Sequence, residues 1–224
     1  MDFLSRGEVI QAVALKVAQL KLLHPVRVGV DGVSASGKTL FSDELAGILS
    51  GMGRQVVRAG LDGFHNPPEV RHRLGPLSVE GYINDSFNYA AVRECVLDPL
   101  GPKGDLQYRS EIYDHGAGKP RQSVSLTASS DSILIFEGVM LFREEIVDCF
   151  DFKILVQTSF EIALERAKVR DLEHFGSLDT LLEKYTQRFI PGQALYIERS
   201  RPATLVDCVV WNDDLLRPKL KFLK

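Results

Sequence analysis

The chain has 224 residues, 45% of them hydrophobic, and a net charge of −3 from 27 basic and 30 acidic side chains. That suits one compact α/β domain spanning residues 1–224, and the near balance of charge argues against nucleic-acid binding. Cys95, Cys149 and Cys208 lie far apart with no CxxC pair, MDFLSRGEVI lacks the layout of a secretion signal, and no apolar run reaches the ~20 residues of a membrane span. A cytoplasmic protein with reduced thiols is expected.

In chain order, residues 5–22 read as an amphipathic helix. Ser5 and Glu8 have capping-box spacing, Val9, Ala12, Val13, Val17 and Leu20 recur every three or four residues, and Pro25 ends the segment. VRVGV (26–30) is a short apolar strand of the buried parallel kind. A helix follows over 38–50, stopped by Gly51 and Gly53, and QVVRAGLD (55–62) is a second strand. Residues 63–86 are polar and rich in Pro and Gly, and 89–100 again look helical. The turn residues and alternation of 101–122 predict a hairpin or extended insertion. SILIFEGVML (132–141) and DFKILVQ (151–157) are strands, 159–172 is a helix, and LVDCVVWN (205–212) is a last strand. Strands alternating with helices imply a parallel sheet covered by helices on both faces.

The turn Gly32, Val33, Ser34, Ala35, Ser36, Gly37, Lys38, Thr39 fits GxxxxGK[ST] between a predicted strand and a predicted helix. Glycines let the backbone curl so that several N–H groups face one anion, and the following helix adds its positive end. Lys38 reaches toward β- and γ-phosphates, Thr39 toward Mg²⁺, and Leu40 is the last residue assigned to the nucleotide site. ATP and Mg²⁺ are therefore the expected cofactors.

Two acids bear on what receives the phosphate. Asp62 ends the second predicted strand, where ligands of such sheets collect; it can accept a hydroxyl proton and touch Mg²⁺, or serve as a turn residue. Glu137 ends the apolar strand ILIFEG, where an acid can hold the metal's water shell. His65 is the nearest alternative base.

The segments GVSASGKT, LDGFH, IYDH, FEG and RAKVRD…KYTQRFIPGQALY resemble the uridine kinase and phosphoribulokinase family over residues 26–212. The resemblance implies a P-loop NTPase fold with a small β insertion at about 101–122 and a helical lid region at about 159–200. It implies transfer of the ATP γ-phosphate to a small acceptor's hydroxyl, with uridine first and pantothenate, nicotinamide riboside or a sugar as alternatives. Under it Asp62 is the general base, Lys38, Arg166 and Arg170 meet the transferring charge, and Asp62, His65, Tyr113 and His115 line the acceptor pocket. Thr39, Glu137 and Asp62 hold the metal.

Arg166 and Arg170 share a helix face, although an exposed pair has the same spacing; Lys168 and Arg188 are further cations. The chain departs from the family's pattern at LEHFGS (172–177), which stands for an arginine-rich turn, and at GFH, which stands for Ser-Phe-Tyr. From a different class, an ATP-controlled regulatory module would need neither Asp62 nor the insertion. Partners are then ATP and a small acceptor, without nucleic acid or membrane, and assembly with further copies of the chain is left open.

Overall fold

The computed structural model describes residues 5–114 and 116–223. The chain runs through α1 (Arg6–Ala18), β1 (Val26–Asp31), α2 (Lys38–Gly51) and β2 (Val56–Gly60). A 3₁₀ turn (Leu61–Phe64) leads to α3 (Pro68–Arg71), α4 (Val79–Asp85) and α5 (Tyr89–Val92). The insertion holds β3 (Gln107–Tyr108), β4 (Tyr113–Asp114), β5 (Lys119–Pro120) and β6 (Leu126–Thr127). Then come β7 (Ile133–Gly138), β8 (Phe152–Gln157), α6 (Phe160–Arg170), α7 (Leu172–Phe175) and α8 (Leu178–Lys184). The chain closes with α9 (Ile190–Ser200), β9 (Cys208–Trp211) and β10 (Lys219–Phe222).

Six of these strands form one sheet in the order β10-β9-β8-β1-β7-β2, parallel except for the antiparallel pair β9–β10. β1 lies between β7 and β8: its last residue, Asp31, pairs with Gly138 at the end of β7 and with Leu155, two residues before the end of β8. The chain order reverses beside β1, which opens a crevice at the carboxyl ends of the strands.

Alternation along the strands divides the core. Val28, Val30, Ile133, Ile135, Ile154 and Val210 pack under α1 and α2, against Val13, Val17, Phe41 and Leu45. Leu134, Phe136 and Val209 face the other way, toward Leu61, Tyr82, Phe142, Phe150 and Tyr196. Each fully buried aliphatic or aromatic side chain contributes roughly 1.5–3 kcal/mol through lost water contact. The parallel sheet and its two apolar faces are as the strand pattern predicts.

Several local expectations are corrected. α1 stops at Ala18 rather than at 22, while its predicted capping box is present: Ser5 Oγ accepts from Glu8 N, and Ser5 N donates to Glu8 Oε2 at 2.7 Å. Residues 63–86, polar and rich in Pro and Gly, carry α3 and α4, which were not anticipated. The helix expected over 89–100 widens into a π turn at Arg93–Leu97, with Asp98 N donating to the Arg93 carbonyl at 2.9 Å, and the Cys95 carbonyl, whose α-helical partner would be Pro99, accepts from Arg109 N at 2.9 Å. A second π turn, Tyr185–Phe189, precedes Pro191, which has no N–H for the ladder. The helix predicted over 159–172 ends at Arg170, and β10 was not anticipated. The insertion forms two small antiparallel pairs, β3 with β6 and β4 with β5.

Candidate active site

The phosphate loop leaves β1 at Asp31 and enters α2 at Lys38. Gly37 takes φ 88°, a left-handed conformation that favours glycine, and a Cβ there would lie 2.6 Å from Asn212 Nδ2. At Gly32 a Cβ would meet the Val156 carbonyl at 2.5 Å and Ser36 Oγ at 2.7 Å. Ala35 is also left-handed, at φ 58°, and packs with Ala167, Leu181 and Tyr185 of the helical region behind the loop.

Three donors converge on the Ser36 carbonyl: Asn212 Nδ2 at 2.7 Å, Thr158 Oγ1 at 3.2 Å and Arg166 Nη1 at 3.4 Å. A trans peptide sends its N–H opposite to its C=O, so pinning this carbonyl outward aims the Gly37 N–H into the loop. Ser36 Oγ is buried with no hydrogen-bond partner among the described residues. Lys38 is also buried, its ammonium 3.5 Å from the Val33 carbonyl. A hollow with inward amides, an orphaned hydroxyl and a buried ammonium fits an anion.

Asp31, which was not singled out from the sequence, anchors the loop's first residue. Its carboxylate accepts from Gly32 N at 2.9 Å, Leu141 N at 3.2 Å and Tyr196 Oη at 2.6 Å. Burial pushes its pKa up, against the pull of these donors. Gln193, also missed, clamps Ser34: its Oε1 accepts from Ser34 N at 2.7 Å, and its Nε2 donates to Ser34 Oγ and to Tyr82 Oη at 3.0 and 3.1 Å. Burial pushes the Tyr82 phenol up to about 12. The polar ends of the apolar strands VRVGVD and VVWN were the available signals for Asp31 and Asn212; Gln193 carried none.

Thr39 Oγ1 donates to Glu137 Oε1 at 2.8 Å, and Arg58 Nη2 lies 3.9 Å from the same oxygen. Glu137 pairs in register with Gly60, two residues before Asp62. Asp62 is exposed on the 3₁₀ turn, and its carboxylate makes no hydrogen bond or ion pair among the described residues. His65 turns Nδ1 to the Asp62 carbonyl at 3.0 Å and sets its ring on Phe87, centroids 4.6 Å apart. Ile112 N donates to the Gly63 carbonyl at 2.8 Å, tying the insertion to this turn. Tyr113 is buried beside it, with a hydroxyl that has no hydrogen-bond partner among the described residues. His115 lies outside the described residues.

The two arginines of α6 occupy different surroundings. Besides Ser36, Arg166 donates to the carbonyls of Asn212 and Asp213, both at 2.8 Å, so it braces the loop from behind, and burial lowers its pKa. Arg170 is exposed and holds Asp171 at 2.6 and 2.8 Å, and this bond raises its pKa. Lys168 pairs with Glu165 at 2.6 Å.

Among the described residues no three His, Cys, Asp or Glu side chains gather around a common metal position. Magnesium beside a nucleotide is usually held by one or two protein groups together with phosphate oxygens, and Thr39 with Glu137 fits that pattern. Among the described residues no helix is long and apolar enough to cross a membrane.

The model of the Phosphoribulokinase / Uridine kinase family matches residues 27–210. The chain belongs to this family. Its members are kinases that phosphorylate hydroxyl groups, which makes the chain a small-molecule kinase at the level of the family. It is 27% identical to uridine-cytidine kinase B of Dictyostelium discoideum over 176 residues, 78% of this chain and 70% of that one. It is 25% identical to the uridine kinase of Bacillus subtilis over 191 residues, 80% of this chain and 82% of the relative. Among solved structures, that of a possible uridine kinase from Bacillus stearothermophilus superposes with a TM-score of 0.70 at 19% identity, covering 89% of this chain and 96% of the other. The P-loop fold expected from the sequence is thereby established.

Proposed function

We propose that the chain transfers the γ-phosphate of ATP to a hydroxyl of a small acceptor bound between Asp62 and Tyr113. The observation that carries this reading is the unengaged Asp62 carboxylate, close in the sheet to the Thr39–Glu137 contact. A module that only sensed nucleotide would need no such group. The relatives' names put uridine first among the acceptors to test.

In this reading the loop amides and Lys38 hold the β- and γ-phosphate oxygens, and Lys38 stays with the charge as it spreads during transfer. Thr39 and Glu137 would hold magnesium, which when bound supplies neutralisation of phosphate charge. Asp62 orients the acceptor hydroxyl and takes its proton at the carboxylate as the new P–O bond forms. His65, fixed on Phe87, walls the same side, and Tyr113 closes the pocket from the insertion.

The test is ADP formation from Mg-ATP with and without candidate acceptors, using Lys38→Ala as control. Acceptor-dependent ADP release, nearly abolished in that variant without a change in melting, is expected. Basal release that no acceptor stimulates would favour a nucleotide-controlled module instead.

A further inference from the structure

The start of α1 reaches the phosphate loop from behind. Ser5 and Glu8 cap this helix at Arg6, whose side chain spreads over α2 and the segment after β9. Arg6 Nε donates to the two Glu44 carboxylate oxygens at 3.0 and 2.7 Å. Its Nη1 donates to Asn212 Oδ1 at 3.3 Å and to the Leu215 carbonyl at 3.2 Å, and its backbone N–H donates to the Leu216 carbonyl at 3.2 Å. The segment 212–216 is held from α6 as well, where Ser159 N donates to Asp213 Oδ1 at 2.8 Å. It lies over the last glycine of the loop: a Cβ at Gly37 would stand 3.4 Å from Leu215 Cδ2.

Asn212 is fully buried, and its amide has two unlike ends. A guanidinium can only donate, so Arg6 takes the amide oxygen and leaves Nδ2 to the Ser36 carbonyl, the shortest of the three bonds that this carbonyl accepts. The opposite orientation would set two acceptors face to face at Ser36 and an amide N–H against a cation at Arg6.

The loop needs this outside hold. Gly37 tolerates φ of either sign, so sterics alone do not fix the peptide between Ser36 and Gly37. Turning that peptide over would swing the Gly37 N–H away and present the Ser36 carbonyl to an anion, which reverses the sign of the local dipole. Glu44 balances the charge of Arg6, whose effect on the loop therefore lies in the direction of its donors.

Resting on the reading of the loop as a phosphate cradle, we propose that Arg6 is a positioning residue of the nucleotide site: acting through Asn212, it keeps the Gly37 N–H aimed at the bound phosphates. Helix α1 is then a working part of that site, although Arg6 and Asn212 both stand outside the span 27–210 that matches the family.

Calorimetry on the full chain tests this with Mg-ATP and with Mg-tripolyphosphate, which carries phosphates without base or sugar. Arg6→Lys keeps the charge and a partner for Glu44, but one nitrogen replaces the fork and Asn212 loses its director. Thr158 and Arg166 remain on the Ser36 carbonyl, so both ligands should weaken by a similar factor of about five to ten, the worth of one hydrogen bond. The melting temperature should stay nearly unchanged. Asn212→Ala should cost about as much by itself, and adding Arg6→Lys to it should cost less than about twofold more, because the two act in series. If Arg6→Lys also melts lower, Glu44→Gln supplies the comparison, since it loosens the same link between α1 and α2 without touching Asn212. That variant should keep both affinities within about twofold of wild type.

Equal losses from Arg6→Lys with and without Asn212 overturn the proposal. So does a loss confined to ATP, an equal loss in Glu44→Gln, or lower melting with unchanged affinity; each leaves Arg6 as a link between two helices. None of these measurements needs an acceptor. Failure of every acceptor to stimulate ADP release would overturn the transfer reading and leave this one standing, whereas a wild-type chain that binds neither ligand overturns this one.

Discussion

Thr39 Oγ1 and Glu137 Oε1 stand 2.8 Å apart, joining the first turn of α2 to the carboxyl end of β7. Both groups are oxygens of the kind magnesium prefers. Thr39→Val keeps the shape and removes the oxygen. The variant should need several-fold more Mg²⁺ for half-maximal ADP formation, and Glu137→Gln should do the same with an intact fold. Magnesium titrations that superpose on wild type would remove the pair from metal binding.

Asp62 separates transfer from mere binding. An alcohol is too weak an acid to ionise near neutrality, so a carboxylate that takes its proton is worth about 10²–10⁴ in rate. Asp62→Asn keeps the size and one oxygen. The expected outcome is a kcat lower by about a hundredfold or more, with ATP affinity by calorimetry within a few-fold of wild type. A kcat close to wild type would leave Asp62 as a turn residue, and collapse of ATP binding would make it chiefly a metal ligand.

Gln193 should matter although it was invisible in the sequence. Its removal orphans the Ser34 N–H and loosens the loop from α4 and α9. A buried donor left unpaired costs about 1–3 kcal/mol. Gln193→Ala should therefore melt several degrees lower and raise the KM for ATP more than it lowers kcat. An unchanged KM for ATP would mean that the clamp supports folding and not the loop's conformation.

The Asp31 carboxyl supplies a pH signature. Burial raises its pKa above the unfolded value of about 3.9, so the folded chain holds this proton more tightly than the unfolded chain does. Its contribution to stability is full below about pH 4 and is lost as pH rises through the folded pKa. Asp31→Asn keeps an oxygen for the Gly32 and Leu141 amides but does not titrate. Its melting temperature should decline less than wild type over that rise in pH. Parallel curves for the two proteins would show that Asp31 ionises as an ordinary surface carboxylate.

What the amino-acid order determined by itself is what neighbours along the chain decide. Ser5 and Glu8 cap α1 because a helix start needs only a side-chain oxygen and an N–H three residues apart. The phosphate loop was legible because glycine torsions, a lysine and a hydroxyl at fixed spacing act within one turn. The parallel sheet was legible because strands buried on both faces must be apolar throughout. Position in the fold decided the rest. Ser34 meets Gln193 from 159 residues away, and the Ser36 carbonyl meets Asn212 from 176. Arg166 has the spacing of a lid cation, yet its guanidinium is fixed by carbonyls of the β9 end, which no spacing on α6 encodes. Arg188 is one charge among many in the sequence, and it becomes a buried cation only when the π turn carries it onto the 71–76 backbone. Local spacing restricts torsions and helix faces, whereas burial and charge balance depend on which distant segments the folded sheet brings together.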